Sequence, residues 1–180
     1  PLLWYSLRAF EQCKLIDGII LVTQNNIVDY VKSDIVDRYG FEKVRKIVAG
    51  GSERQYSVYN GLSAVEKADV IAVHDGARPL ITGAMTADVI NAAYEYGSSS
   101  VGVPLKDTVK MVDENNLVKY TPERKNMWII QTPQAFRFEI LKKAHEKAME
   151  DGFVATDDCA LVERMGGTVK IVDGSYSNIK

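Results

Sequence analysis

Cysteine is scarce in this sequence, and its scarcity excludes two classes of protein. The 180 residues contain only Cys13 and Cys159, which lie far apart and form no CxxC pair or Cys/His cluster. A disulfide framework and a zinc site built on paired cysteines are therefore excluded. Both cysteines lie in apolar helical patterns, which predicts two small buried side chains. Without a disulfide framework a reducing compartment is favoured, and we expect the cytoplasm.

The sequence also lacks an excess of charge of either sign. The 22 Lys and Arg residues nearly balance the 24 Asp and Glu residues, and the net charge is -2. Proteins that hold a nucleic-acid backbone usually carry a basic surplus, so we expect a nucleotide rather than a polynucleotide as ligand. No apolar run approaches the length of a membrane span, and no signal peptide opens the chain, so we expect no membrane association.

What the sequence does contain is a regular alternation of helical and extended patterns as far as Pro104. Continuous apolar runs predict strands covered on both faces, and stretches with helical spacing separate them. The runs are 19–22, 46–49, 70–73 and 100–103. Such alternation predicts an α/β fold with an open, mostly parallel sheet and helices on both faces. The length fits a single domain over 1–180.

The alternation is interrupted between residues 106 and 136, where no helical stripe is visible. A period-two pattern at 108–112, a polar turn at 113–116 and an answering run at 117–120 predict a hairpin, and residues 127–130 form another extended run. We interpret about 106–136 as a β-arm that protrudes from the α/β body. An arm that cannot bury itself usually packs on another surface, often a second subunit, so we expect a homodimer through this arm.

Two groups of candidate site residues follow predicted strands, at the sheet edge where open α/β folds bind ligands. Gly50 and Gly51 end one strand, and Ser52 with Gln55 has the spacing of a capping box, so Ser52 is the expected N-cap. Glycine also lets the backbone approach a ligand, and a helix N-terminus attracts phosphate. A well-capped helix and a ligand-binding loop are equally favoured by these residues alone.

The second group, from His74 to Arg78, is more informative. A carboxylate at the end of a buried strand is costly unless it is paired or solvated. Asp75 and Arg78 could simply pair with one another. A hard oxygen ligand beside a fixed guanidinium also suits magnesium and phosphate, and we favour that functional interpretation. His74 is expected to be structural, satisfied by the neighbouring carboxylate.

Three further segments are ambiguous by themselves. Arg124 fits an exposed charge in a polar turn. Thr156, Asp157 and Asp158 fit an N-cap with acidic residues in the first helical turn. His145 lies among lysines and glutamates, and we expect it to be a solvated helix residue.

Taken in order, these segments resemble the 2-C-methyl-D-erythritol 4-phosphate cytidylyltransferase family over essentially the whole chain. No single motif is decisive, but seven in the right order are specific. The motifs are Gly50-Gly51-Ser52-Glu53-Arg54, Val73-His74-Asp75-Gly76-Ala77-Arg78-Pro79, Val103-Pro104-Leu105-Lys106-Asp107-Thr108, Arg124 with Met127-Trp128, Gln131-Thr132-Pro133-Gln134, Thr156-Asp157 and Asn178-Ile179-Lys180.

The resemblance implies a nucleotidyltransferase-type, Rossmann-like α/β sheet with a protruding arm that builds a homodimer. It implies CTP and a sugar-alcohol phosphate as substrates, pyrophosphate as a product and Mg²⁺ as the cofactor, in non-mevalonate isoprenoid synthesis. The chemistry suits these residues, because two anions that must react need cations to neutralise and orient them. No nucleophilic Ser or Cys is required.

The resemblance also assigns residues to roles. Arg124, Lys180 and Asp75 are the implied catalytic residues, and Asp75 is also the implied magnesium ligand. Gly51, Arg54 and Ser57 would border the cytidine. Arg124 would reach across the dimer and, with Lys180, hold the acceptor phosphate. The implied substrate-binding residues are Gly50, Gly51, Arg54, Ser57, Asp75, Ala77, Arg78, Thr108, Thr132 and Thr156.

Members of the family begin with a strand and a glycine-rich loop carrying an arginine, followed by a Pro-Lys-Gln segment, and end with a further helix. The 180 residues start after that loop and stop before that helix. We therefore expect these residues alone to be nearly inactive, and wild-type-like turnover would contradict this.

Three alternatives remain open. Ribitol 5-phosphate cytidylyltransferases share most of the motifs, although Trp128 and the segment 106–110 look more like the methylerythritol enzyme. A non-catalytic binding or dimerisation module is a second alternative. A nicotinamide dehydrogenase is disfavoured because no G-x-G-x-x-G follows a strand.

Overall fold

The computed structural model describes all 180 residues, which form six helical segments, a 3₁₀ turn at Arg124–Asn126 and eight strands. The second segment, α2, starts as a 3₁₀ turn at Asn25–Ile27, continues as an α-helix at Val28–Tyr30 and ends as a π-helix at Val31–Asp37. The other helices are α1 Leu2–Gln12, α3 Arg54–Ser63, α4 Gly83–Tyr96, α5 Phe138–Glu150 and α6 Asp158–Arg164. The strands are β1 Ile19–Thr23, β2 Val44–Ala49, β3 Val70–Val73, β4 Ser98–Pro104, β5 Met111–Val112, β6 Val118–Tyr120, β7 Trp128–Arg137 and β8 Lys170–Asp173.

The strands are arranged as two sheets and a separate hairpin. β1 and β2 pair in parallel, and the larger sheet has the order β3-β7-β4-β8. In that sheet β4 and β8 are parallel, whereas β7 runs antiparallel to both β3 and β4. The predicted α/β class is therefore confirmed, with β7 as the antiparallel member of an otherwise parallel set.

The predicted arm is too long at its C-terminal end. The hairpin of β5 and β6 and the 3₁₀ turn Arg124–Asn126 do leave the body of the protein, but residues 128–136 belong to β7. β7 lies between β3 and β4 in the sheet, and its residues 131–136 are buried one after another, so both faces are covered there. Such a strand shows no period-two alternation. Pro133 within this central strand also argues against a strand in the sequence, because proline in a sheet is normally found on an edge strand.

Three apolar clusters form the core, and α1 connects two of them. Leu7 packs with Leu21, Val31 and Ile35 on the β1 side. Phe10, one helical turn later, packs with Val89 and other residues of the cluster beneath α4. The third cluster lies between α5, α6 and the β7 end, around Leu141 and Leu161. Because helical residues three apart share a face, α1 holds the two sheets together.

A cleft of about 1230 Å³ lies between the two sheets. β1 and β3 are edge strands of their sheets, and both line this cleft. Its lining continues to the carboxyl ends of the strands, where it includes Gly51, Arg54 and Asp75. The cleft therefore opens at the edge where the sequence places its candidate site.

Two expectations from composition can be compared with the structure. Cys13 and Cys159 are both free and buried, as predicted, and burial is the main cause that raises the pKa of the Cys159 thiol. No helix is both long enough and apolar enough to cross a lipid bilayer.

Candidate active site

Asp75 is the centre of the candidate site, and three cations converge on its carboxylate. The Lys180 ammonium lies 3.0 Å from Oδ2, and Nε of Arg78 lies 3.6 Å from the same oxygen. Nε of Arg54 lies 3.5 Å from Oδ1. The three cations come from the start of α3, the turn after β3 and the segment after β8, so the fold assembles the cluster from distant parts of the sequence.

The cations determine the ionisation of Asp75. Partial burial would raise its pKa, but Lys180 lowers it most strongly and the guanidinium groups of Arg54 and Arg78 add to that effect. The net result is a pKa below the ordinary value, so the carboxylate is charged at neutral pH. Three positive groups around one negative group leave an excess of positive charge, which suits a phosphate ligand.

A hydrogen-bonded chain behind Asp75 holds its backbone in place. The amide N–H of Asp75 donates to Oγ1 of Thr132 at 3.1 Å, and this hydroxyl lies 3.1 Å from Nδ1 of His74. Nε2 of His74 lies 3.1 Å from the carbonyl oxygen of Arg78 and must donate to it. His74 is thus structural as predicted, but its partners are Thr132 and Arg78 rather than the carboxylate of Asp75.

Asn178 anchors the segment that carries Lys180. Its side chain is fully buried, and its Nδ2 donates to Oε1 of Gln131 at 3.2 Å and to the carbonyl of Thr132 at 3.1 Å. Its own carbonyl accepts a hydrogen bond from Nη1 of Arg78 at 2.7 Å. The segment is therefore fixed to β7 and to Arg78, two residues before Lys180.

The Gly50-Gly51 loop joins β2 to α3 and packs tightly against that helix. The N–H of Gly51 donates to Oγ of Ser57 at 3.0 Å, and this hydroxyl donates to the carbonyl of Glu53 at 3.1 Å. A Cβ at Gly51 would lie 2.4 Å from Cβ of Tyr56, so only glycine fits. The prediction that Ser52 is the N-cap is wrong, since Glu53 occupies the N-cap position without a side-chain bond.

Gln55 does not form the predicted capping box with Ser52. It is buried, and its amide bridges the backbone of the segment before α6. Nε2 donates to the carbonyl of Phe153 at 2.9 Å, and Oε1 accepts from the N–H of Ala155 at 2.9 Å. Buried backbone groups need such partners. The side chain that suggested a local cap therefore makes a contact across about a hundred residues of sequence instead.

Arg54 is also held from its other side by a buried carboxylate. Nη1 of Arg54 donates to Oδ2 of Asp158 at 2.8 Å, and Oδ1 of Asp158 accepts from Nε2 of His145 at 3.0 Å. Partial burial would lower the pKa of Arg54, but Asp158 and then Asp75 raise it above its ordinary value. The expectation of a solvated His145 is wrong, because its side chain is fully buried.

The chain matches a family model described as IspD, 2-C-methyl-D-erythritol 4-phosphate cytidylyltransferase, over residues 1–180. It belongs to this family. A cytidylyltransferase of that name from Caldanaerobacter subterraneus is 50% identical over 181 residues, which cover 100% of this chain and 80% of that protein. A second, from Alkaliphilus metalliredigens, is also 50% identical and is covered over 75% of its length.

Solved structures of family members share the fold. The 4-diphosphocytidyl-2C-methyl-D-erythritol synthase of Anaerococcus prevotii superposes with a TM-score of 0.92 at 35% identity, over 99% of this chain and 79% of that one. The cytidylyltransferase of Thermus thermophilus gives a TM-score of 0.82 at 28% identity, over 99% of this chain and 81% of that one.

Within this cytidylyltransferase fold, the residues predicted from the sequence fall into two groups. The first is assembled around Asp75 or on the adjoining loop, namely Gly50, Gly51, Arg54, Ser57, Asp75, Arg78, Thr132 and Lys180. The second is exposed, namely Ala77, Thr108, Arg124 and Thr156.

Two members of the exposed group lie outside the cluster of cations at Asp75. A guanidinium nitrogen of Arg124 donates to the carbonyl of Lys106, so Arg124 braces the arm rather than joining the cations at Asp75. Thr156 precedes the N-cap of α6, which is Asp157, whose Oδ1 accepts from the N–H of Ala160 at 2.9 Å.

Asp158 and His145 support the site although their sequence motifs do not indicate it. Asp158 fits a helix-start acid in sequence, but its side chain is almost completely buried and bonds to Arg54. His145 has charged neighbours in sequence, which suggest exposure. Helical spacing is the signal for its burial, because Leu141, Ala144, His145 and Ala148 form one buried face of α5.

Proposed function

We propose that the chain transfers a CMP unit from CTP to 2-C-methyl-D-erythritol 4-phosphate and releases pyrophosphate, in the synthesis of isoprenoid precursors. The observation that carries this proposal is the convergence of Arg54, Arg78 and Lys180 on Asp75, at the carboxyl end of β3. Family membership identifies the reaction class, and the cation cluster supplies what that reaction requires.

The required chemistry is a displacement at the α-phosphorus of CTP. An oxygen of the acceptor phosphate forms the new P–O bond, and the bond to the β-phosphate breaks as pyrophosphate leaves. Both reactants are anionic, so their approach is opposed by repulsion until cations neutralise it. We assign Arg78 and Lys180 to the acceptor phosphate and Arg54 to the nucleotide.

The Gly50-Gly51 loop is suited to the nucleoside. Its backbone is exposed because glycine has no side chain, and it adjoins both Arg54 and the cleft. Ser57 fixes the loop through its bonds to Gly51 and Glu53. Hydrogen-bonding groups of a rigid loop can read the edge of a cytosine, and we assign the base to this position.

Magnesium fits Asp75 as a single protein ligand. No group of three or more His, Cys, Asp or Glu side chains is placed to hold an ion by itself. Mg²⁺ is commonly bound by one or two carboxylates together with substrate phosphates and water, which this site allows. When bound, the ion would neutralise phosphate charge, while Asp75 holds it at the reacting end of the nucleotide.

We also propose that the arm forms a homodimer and brings Arg124 to the site of a second copy. The support is a set of exposed apolar side chains on or beside the arm, since exposed apolar patches mark interaction sites. These side chains are Met111, Val112, Leu117, Val118, Tyr120, Trp128 and Ile129. Arg124 lies between Tyr120 and Trp128 in sequence and is itself exposed, so a partner that covers the arm would meet it.

A cytoplasmic location is part of the proposal. Its support is the pair of free, buried cysteines, which need no oxidising compartment.

Substrate assays test the function directly. We expect calorimetry to show binding of CTP with magnesium in preference to ATP, GTP and UTP. Pyrophosphate release, measured at high protein concentration, should depend on 2-C-methyl-D-erythritol 4-phosphate. A preference for ribitol 5-phosphate would support the alternative cytidylyltransferase, and failure to bind CTP would contradict the proposed function.

Replacement of Asp75 by the isosteric asparagine tests the role of its charge. Asp75→Asn should lower turnover by roughly two orders of magnitude, because it removes the charge that gathers the cations and binds the metal. Glu139→Gln removes an exposed acid at the start of α5 and should leave turnover unchanged. Equal losses in the two variants would remove Asp75 from the mechanism.

A further inference from the structure

We propose that His145 and Asp158 are positioning residues that hold the Arg54 guanidinium in the geometry needed at the nucleotide site. The proposal rests on the function proposed above, because it assumes that Arg54 contacts the bound nucleotide. Neither residue reaches the cleft, and both act through Arg54.

The first observation is the burial of Asp158. Its side chain is only 1% exposed, yet it carries a carboxylate at the first position of α6. A buried carboxylate is strongly unfavourable unless its oxygens are paired and hydrogen-bonded. Here one oxygen bonds to Arg54 at 2.8 Å and the other to His145 at 3.0 Å. Asp158 is therefore fully engaged by these two side chains.

The second observation is that Asp158 is itself held rigidly. Its backbone N–H donates to Oε1 of Gln134 at 3.1 Å, and Nε2 of the same amide donates to Asp157 at 2.7 Å. Gln134 lies on the central strand β7 and is 1% exposed. The start of α6 is thus fixed to the sheet, and Asp158 is a fixed point for Arg54.

His145 completes the network from α5. Its ring stacks on Tyr59 with the centroids 6.3 Å apart and the planes inclined by 26°. Nδ1 has no hydrogen-bond partner, so the bond from Nε2 to Asp158 is the one polar contact of this buried ring. A buried histidine with one partner, and that partner bonded to a site arginine, is better explained by orientation of the arginine than by packing alone.

Arg54 needs this support because it is the least buried part of the network. Its side chain is 34% exposed, and a free arginine side chain samples many rotamers. Contact with Asp158 on one side and Asp75 on the other leaves one orientation, with Nε directed at the site. Fixing such a group before the ligand arrives lowers the entropic cost of binding.

The test measures the affinity of the chain for CTP and magnesium in variants of His145. His145→Leu removes the bond to Asp158 and should weaken CTP binding about tenfold. His145→Gln keeps an N–H donor near the position of Nε2 and should restore the affinity to within about twofold of the wild type. Leu141→Ala is the matched control, since Leu141 is equally buried one turn earlier on α5 and its loss should lower stability without changing the affinity.

A double-mutant cycle decides whether the effect passes through Arg54. In an Arg54→Met background, His145→Leu should cause no further loss of affinity. An equal loss in both backgrounds, an equal loss in Leu141→Ala, or no loss in His145→Leu would overturn the proposal.

A second measurement does not depend on CTP and separates this proposal from the proposed function. In nitrogen NMR spectra, the Nε–H signal of Arg54 should be sharp and slow to exchange in the wild type and in His145→Gln. It should broaden or disappear in His145→Leu. A signal unchanged in His145→Leu would overturn the positioning role, whereas failure of the wild type to bind CTP would contradict only the proposed function.

Discussion

His74 illustrates how a single half-buried residue can shape the site from behind. Its two ring nitrogens face the carbonyl of Arg78 and the hydroxyl of Thr132, and this hydroxyl holds the amide of Asp75. The neutral ring completes this row of hydrogen bonds, with Nε2 as donor to Arg78 and Nδ1 as acceptor from Thr132. Burial is the main reason that the pKa of His74 falls to about 4.

This pKa predicts a specific dependence of stability on pH. The unfolded histidine has a pKa near 6.5, so the unfolded chain binds the proton more tightly than the folded protein does. The stabilisation is therefore complete above about pH 6.5 and is lost as the pH falls towards the folded-state pKa of about 4. The loss amounts to at most about 3 kcal/mol. Asp75 titrates below this window, because its own pKa is lowered.

Urea unfolding of His74→Gln at pH 7, 6 and 5 tests the prediction. The variant should be less stable than the wild type at pH 7, and the difference should shrink towards pH 5, because glutamine does not titrate. Wild-type and variant curves that stay parallel over this range would show that His74 is not the responsible group.

At the residue scale, the sequence predicts which residues carry the chemistry better than it predicts their burial and hydrogen-bond partners. Asp75, Arg78 and the paired glycines were identified because carboxylates and glycines at strand ends are unusual. The sequence does not predict the partners of His74 or the burial of His145, because both depend on which elements fold against one another. For His145 the helical spacing with Leu141 and Ala148 carried the information, and the charged sequence neighbours obscured it.

Among the elements, the loop between β2 and α3 packs so closely against α3 that it has no room for a side chain at Gly51. Gly51→Ala would place a Cβ 2.4 Å from Cβ of Tyr56, which lies on the helix that also carries Arg54. The loop or the helix start must then move. We expect CTP affinity, measured by calorimetry, to fall at least about tenfold, because both the proposed base contacts and Arg54 would shift.

Gly83→Ala is the matched control for this substitution. Gly83 opens α4, and a Cβ there meets no atom within 4 Å. Alanine should therefore leave CTP affinity unchanged and stabilise the protein slightly, since it reduces the freedom of the unfolded chain. A fall in affinity for Gly83→Ala, or none for Gly51→Ala, would contradict the role given to the loop.

At the scale of elements, the sequence predicts the parallel strands and the extended run at 127–130, but not that this run continues as the antiparallel strand β7 of the main sheet. β1, β3 and β4 show continuous apolar runs separated by helical spacing, which is how covered parallel strands are recognised. β7 contains Gln131, Thr132 and Gln134, whose side chains bond to the segment after β8, to the backbone of Asp75 and to the start of α6. A strand whose side chains make polar contacts lacks the continuous apolar run by which a covered strand is recognised in sequence.

The whole molecule explains why the cations meet at Asp75 although they are far apart in sequence. Arg54, Arg78 and Lys180 each follow a strand or its loop at the same edge, and β7 fixes the last segment through Asn178. Arg124 is the exception, because the arm carries it away from the body and its guanidinium contacts Lys106. We therefore expect Arg124 to take part in the mechanism at the site of another copy of the chain.

Complementation between two inactive variants tests this arrangement. Arg124→Ala and Asp75→Asn should each lower pyrophosphate release by roughly two orders of magnitude. When the two proteins are dissociated, mixed and reassociated, half of a random mixture is heterodimer, and one of its two sites has both residues intact. Activity should therefore recover to about a quarter of the wild-type value. Light scattering should show a particle of twice the chain mass of 20.0 kDa.

Arg78→Ala mixed with Asp75→Asn is the matched control. Arg78 contacts Asp75 within one chain, at 3.6 Å, so one site of this heterodimer lacks Arg78 and the other lacks the carboxylate. No activity should return. Recovery in the control as well would indicate exchange of whole segments rather than a shared site. If the first pair fails to recover while a dimer is present, Arg124 acts within its own chain, and the arm serves assembly alone.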